Sequence, residues 1–139
     1  VDAVTSGTWG PGPYDSDAGH TYLTDLQYGL LGDDQPAPTV LLAMPATTRE
    51  LAQQQYALAA LIAVATGADT ALHVPAAVTH LAADSDQEWA GLLSAARDAL
   101  NELLSDPYAL IWQGWDDGAL LVKRRVRVLR ALLHRACES

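Results

Sequence analysis

Residues 47 to 67 read TTRELAQQQYALAALIAVATG, and this stretch decides the fold. It opens on a capping-box pattern: the Thr47 side chain can accept from the amide three residues on, and Glu50 can reach back to the Thr47 amide, with Ala46 and Leu51 at the staple positions. From Tyr56 to Ala65 every residue is apolar, so a helix here has no polar side and must be enclosed by other helices. The run is about half of the ~20 residues that a bilayer crossing requires, which makes it a buried central helix. Ala57, Ala59, Ala60 and Ala63 keep it thin, so neighbours can approach closely, and Gly67 supplies a stop.

The rest of the composition fits such a centre. The chain has 139 residues, half of them hydrophobic, which suffices for one domain over 1–139 with a core that requires no metal or disulfide. Ala and Leu dominate, Phe is absent and β-branched residues are sparse. That balance predicts an all-α fold, a compact bundle of five to six helices around the buried one, with an ordered Gly/Pro-rich loop over residues 1–16. Cys137 stands alone and fits a reducing compartment. Val1 to Gly12 carry an acid, no basic run and no long apolar stretch, so no secretory leader is expected and the expected location is cytoplasmic.

Working outward, residues 7 to 22 read GTWGPGPYDSDAGHTY, where glycines and prolines exclude regular structure and Trp9 and Tyr14 are expected to plug one end of the core. Asp15, Ser16 or Asp17 can cap a helix whose apolar positions Tyr22, Leu23, Leu26 and Leu30 recur until Gly32. The run between Pro38 and Pro45 is short for a helix and is expected to be extended or irregular. Pro75 starts a short predicted helix. Ser85 and Glu88 form a second capping box, opening a helix to about Leu104 with Trp89, Leu92, Leu93, Ala96, Leu100, Leu103 and Leu104 on one face. Asp106 and Pro107 begin a turn that brings Tyr108, Trp112 and Trp115 together, and Asp116, Asp117 and Gly118 end it.

The last helix, roughly Ala119 to Cys137, projects Val122, Val126, Leu129, Leu133 and Ala136 as a buried stripe with Leu121, Val128 and Leu132 at one edge. Lys123, Arg124, Arg127 and Arg130 fall outside the stripe, whereas Arg125 projects into the apolar sector. Its guanidinium must either pair with carboxylates, those at Asp15 and Asp17 or at Asp116 and Asp117, or reach out along the surface to water.

Charge is unevenly placed. The formal net charge is −9, with −13 up to Asp116 and +4 from Asp117 onward. An acidic body disfavours nucleic acid and anionic membranes and speeds encounter with a basic partner.

The N-terminal pattern Gly-x-Trp-Gly-x-Gly-Pro-aromatic-Asp-x-Asp, carried by Trp9, Gly10, Gly12, Pro13, Tyr14, Asp15 and Asp17, resembles the bacterial DUF4259 family, a domain of unknown function. Tyr14 stands where that family has Phe, Ser16 where it has Asn, Thr21 where it has an acid, and Tyr22 where it has Trp. A fainter likeness runs through the Ala-rich helix and the Trp-Asp-Asp segment at Trp115. The resemblance implies an all-helical cytoplasmic domain and no particular activity.

One constellation invites chemistry: Asp15, Asp17 and His20 at a loop-to-helix junction, with Asp25 further along, are hard and borderline ligands for a divalent metal. The same acids also read as ordinary helix caps, and no metal, cofactor or catalytic residue is expected. His73 and His80 lie two helical turns apart, His134 falls on the exposed side of the basic helix, and Cys137 lacks a His and Asn pattern. No phosphate-loop, dinucleotide, nucleophile-elbow or zinc spacing occurs. The expected function is a non-enzymatic protein-binding module, an inhibitor or immunity-type partner of a basic protein. The alternatives are a small metal-dependent enzyme centred on Asp15, Asp17 and His20, and a structural subunit that self-associates through apolar helix faces.

Overall fold

The computed structural model describes residues 17–29, 36–68, 89–105 and 119–138. Its elements are α1 (Asp17–Gln27), α2 (Pro38–Ala43), α3 (Arg49–Ala65), a 3-10 turn (Trp89–Leu92), α4 (Leu93–Ser105) and α5 (Ala119–Glu138). All described regular structure is helical, and α3 touches each of the other elements. The buried run on α3 extends from Gln55 to Ala63 without a break. An all-apolar helix can be accommodated only where neighbours cover every side, and the sheath of α1, α2, α4 and α5 does that. Tyr56, Leu58, Leu61 and Ile62 are its large contributors, each worth about 1.5–3 kcal/mol of burial.

The start of α3 lies one residue later than the sequence reading. Thr48 is the N-cap, its hydroxyl oxygen accepting from the Leu51 amide at 3.1 Å. The expected box on Thr47 is displaced because the Thr47 amide is already engaged by the Pro45 carbonyl at 2.9 Å, which holds Thr47 in the preceding turn. Glu50 still sits in the first turn, where its charge suits the helix dipole. Thr48→Ala should therefore lower stability by about 1 kcal/mol in a denaturant melt, whereas Thr47→Ala should have less effect. At the other end Gly67 takes φ 80°, the left-handed conformation that glycine adopts without strain, and its amide donates to the Val64 carbonyl.

The segment after Pro38 corrects a second expectation. It is not extended: Pro38 to Ala43 form one and a half turns of helix. Pro38 occupies the first turn, where its fixed φ is already helical and its missing amide hydrogen costs nothing, and Leu41 and Leu42 bury themselves against the core. The decisive partner comes from far along the chain. The buried Gln55 side chain on α3 donates through Nε2 to the Leu41 carbonyl at 3.0 Å and to the Met44 carbonyl at 2.7 Å. The Leu41 carbonyl also accepts from the Met44 amide at 3.2 Å, so the Gln55 side chain adds a second bond there and supplies the donor to the Met44 carbonyl, a pairing that no local pattern reveals.

α1 buries Tyr22 and Leu23 as expected but ends at Gln27, before Gly32. Gly29, at φ 67°, supplies the left-handed residue, and its amide donates to the Leu26 carbonyl. The Tyr22 hydroxyl donates to the Pro36 carbonyl at 2.8 Å, tying α1 to the entry of α2. Burial pushes this phenol's ionisation above its ordinary value of 10.0. The sign follows directly: the folded state favours the neutral phenol, so its contribution is complete below about pH 10 and falls as pH rises above it. Tyr22→Phe should cost about 1–3 kcal/mol at pH 7, because the Pro36 carbonyl loses its donor. The difference from the parent should narrow in urea melts above pH 10.

The second capping-box helix is also modified. Its first described turn, Trp89 to Leu92, is 3-10, and the α-helix proper runs from Leu93 to Ser105. Trp89, Ala96, Leu100 and Leu103 are buried and Leu92, Leu93 and Leu104 half-buried, so the expected face is the packed one. The Ser85 and Glu88 box, the Pro75 helix, the N-terminal loop over 1–16 and the aromatic turn at Tyr108, Trp112 and Trp115 lie outside the described residues.

α5 packs along α4 and touches α3, and its Val122, Val126, Leu129 and Leu133 are buried in the shared core. Among the described residues no helix is long and apolar enough to cross a membrane.

Candidate functional site

Three surfaces follow from this arrangement. The first is the start of α1, the candidate metal position. Asp15 lies outside the described residues, Asp17 opens the helix and His20 follows one turn on, half-buried, with its carbonyl accepting from the Thr24 hydroxyl at 2.9 Å. Asp25 is half-buried and already engaged within the protein. Among the described residues no group of three or more His, Cys, Asp or Glu side chains converges. Trp9, Gly10, Gly12, Pro13 and Tyr14 of the motif also lie outside the described residues.

The second is the acidic surface. Glu50, Asp98 and Glu102 are exposed on α3 and α4. Asp98 is 3.2 Å from its neighbour Arg97, while Glu50 and Glu102 have no ion pair among the described residues. Water screens such carboxylates, and their field adds to that of the other acids up to Asp116.

The third is the outward face of α5, which the sequence reading placed only at the edge of the core. Leu120 is 80% exposed, Leu121 43% and Val128 57%. Among the described residues the other large exposed hydrophobics are Tyr28 and Val40, so this helix carries three of five. Arg124, Arg125 and Arg127 are exposed beside them and have no ion pair among the described residues. Arg125 is exposed, so its side chain reaches water as in the second of its two expected courses, and the carboxylates named for the first, at Asp15, Asp116 and Asp117, lie outside the described residues. The reason is geometric. α4 and α3 cover the sector centred on Val122 of a helix turning 100° per residue, and Arg125, about 60° from Val122 towards Leu132, Leu121 and Val128, lies on the flank where the apolar positions are themselves exposed or half-buried. Arg125→Met should change the unfolding free energy by less than about 0.5 kcal/mol in urea melts.

Arg130, expected outside the buried stripe, is half-buried, and its Nε has no hydrogen-bond partner among the described residues. At the end of the helix His134 Nε2 lies 2.8 Å from a Glu138 carboxylate oxygen, both exposed, and Cys137 is half-buried.

Compared with protein-family models, curated proteins and solved structures, the chain matches none of them.

Proposed function

We propose that the chain is a non-enzymatic protein-binding domain whose acidic body receives a basic protein, in the manner of an inhibitor or immunity-type partner. The observation that carries this reading is the exposure of Glu50, Asp98 and Glu102 within a stretch that bears a net −13 up to Asp116. Exposed like charges raise the encounter rate with a cationic surface and add specificity by repelling anionic competitors. The packing suits the role: α3 is enclosed on every side, leaving a rigid support whose outer helices can present charge without reorganising. The likeness of the N-terminal motif to DUF4259 belongs to the same proposal and adds a cytoplasmic setting.

The test is a salt-eluted pull-down from the source lysate with the full chain as bait, repeated with Glu50→Gln, Asp98→Asn and Glu102→Gln combined. A specific basic protein retained by the parent and lost by the neutralised variant supports the reading. Retention that ignores the substitutions and the salt removes it. The competing metal-dependent reading is addressed separately by titrating manganese, zinc and calcium: heat or a thermal shift that disappears in Asp17→Asn would favour it over the binding module.

A further inference from the structure

We propose that the outward face of α5 is a second docking surface, and that its occupant is an acidic amphipathic helix from a partner protein. Leu121, Val128 and Leu132 fall within about 40° of arc on this helix, with Arg125 just beside them and Arg124 on the other flank. Leu121 and Val128 are exposed and Leu132 is half-buried, so an apolar seam reaches solvent between guanidinium groups. The spacing of seven from Leu121 to Val128 is the repeat by which one helix lies along another.

Charge selects the occupant. α5 carries Lys123, Arg124, Arg125, Arg127, Arg130 and Arg135 against Glu138 alone. A second copy packed two-fold through the same seam would set these arginines against their equivalents, a like-charge arrangement that costs several kcal/mol across an interface. A nucleic-acid duplex or an anionic bilayer extends beyond α5 and would meet the acids that fill the rest of the chain, whereas a single helix lying along α5 meets its basic flank alone, and an apolar seam has no use on a phosphate backbone. An acidic protein whose groove wraps a target helix is excluded by the packing. Val122, Val126, Leu129 and Leu133 are buried in this domain's own core, so only one side of α5 is accessible. A helix alongside, apolar in its seam and bearing Glu or Asp on its flanks, satisfies all of these conditions.

This surface is independent of the acidic body, so loss of the basic partner in the pull-down leaves it untouched. The experiment uses a labelled synthetic peptide of three heptads, Leu at the seam positions and Glu at the flanks, titrated with the full chain and followed by fluorescence anisotropy. A matched peptide with Lys at the flanks is the control. The acidic peptide is expected to bind saturably and more weakly as salt rises, and the Lys peptide is expected not to bind. Arg124→Glu with Arg125→Glu should weaken the acidic peptide about tenfold or more and confer binding of the Lys peptide. Val128→Ser should weaken binding without altering its salt dependence. Should the double reversal fail to fold by circular dichroism, Arg124→Gln with Arg125→Gln is read in its place for weakening alone. The proposal is overturned by any of four results: no saturable binding, equal binding of both peptides, binding unchanged in a folded charge variant, or a stable dimer in sedimentation that excludes the peptide.

Discussion

Leu61→Ala is expected to lower the free energy of unfolding by about 2–5 kcal/mol, the range for truncating a leucine in a close-packed interior. Leu61 is fully buried in the middle of α3, on a helix that every other described element touches, so the vacated volume cannot be filled by a side chain from solvent. Of a typical total of about 5–15 kcal/mol, this is enough to leave a measurable unfolded population at ambient temperature. The comparison is Leu120→Ala on α5, where the same chemical change removes a side chain that is 80% exposed and should shift stability by less than about 0.5 kcal/mol. Urea melts of the two variants side by side check both. Equal and small effects would mean that α3 is not enclosed.

Two buried glutamines, Gln53 and Gln55, are expected to respond oppositely to the same substitution. Gln55→Leu removes the donor shared by the Leu41 and Met44 carbonyls; the Leu41 carbonyl keeps the Met44 amide, while the Met44 carbonyl is left beside an apolar group. The expected loss is about 1–3 kcal/mol, the desolvation penalty of the abandoned Met44 acceptor, and α2 should fray first. Hydrogen exchange at the Leu41 and Met44 amides would report that fraying before global unfolding does. Gln53 is equally buried, but its Nε2 has no hydrogen-bond partner among the described residues. Gln53→Leu therefore relieves an unsatisfied donor and should be neutral or stabilising by up to about 1–2 kcal/mol. If Gln53→Leu proved as damaging as Gln55→Leu, the hydrogen bonds to α2 would not be the reason for the effect.

These pairs also show where sequence pattern stops. Gln53 and Gln55 precede the same apolar run and look alike on paper, yet one ties two helices together and the other has an amide nitrogen with no hydrogen bond among the described residues. Their difference depends on what lies opposite them, Leu41 and Met44, which approach only after α2 and α3 have packed. The candidate sites follow the same division. The charge imbalance was countable residue by residue, and the exposed carboxylates at Glu50, Asp98 and Glu102 lie within it. The apolar seam on α5 was visible as the edge positions Leu121, Val128 and Leu132, but its exposure was not, because periodicity ranks residues by angle and does not say how wide an arc the neighbour covers.

From the sequence alone came the helical class, the enclosed Ala/Leu rod from Tyr56 onward, and the buried stripe of Val122, Val126, Leu129 and Leu133. Periodicity and side-chain volume are local properties, and burial of apolar surface acts on them directly. Tertiary structure alone decided that Thr48 and not Thr47 begins α3, that Pro38 to Ala43 are helical, and that Arg125 faces water. Each of those outcomes turns on a polar group choosing among partners of nearly equal merit. Such choices are settled by which atoms the packed helices bring within about 3 Å, the range in which a hydrogen bond forms.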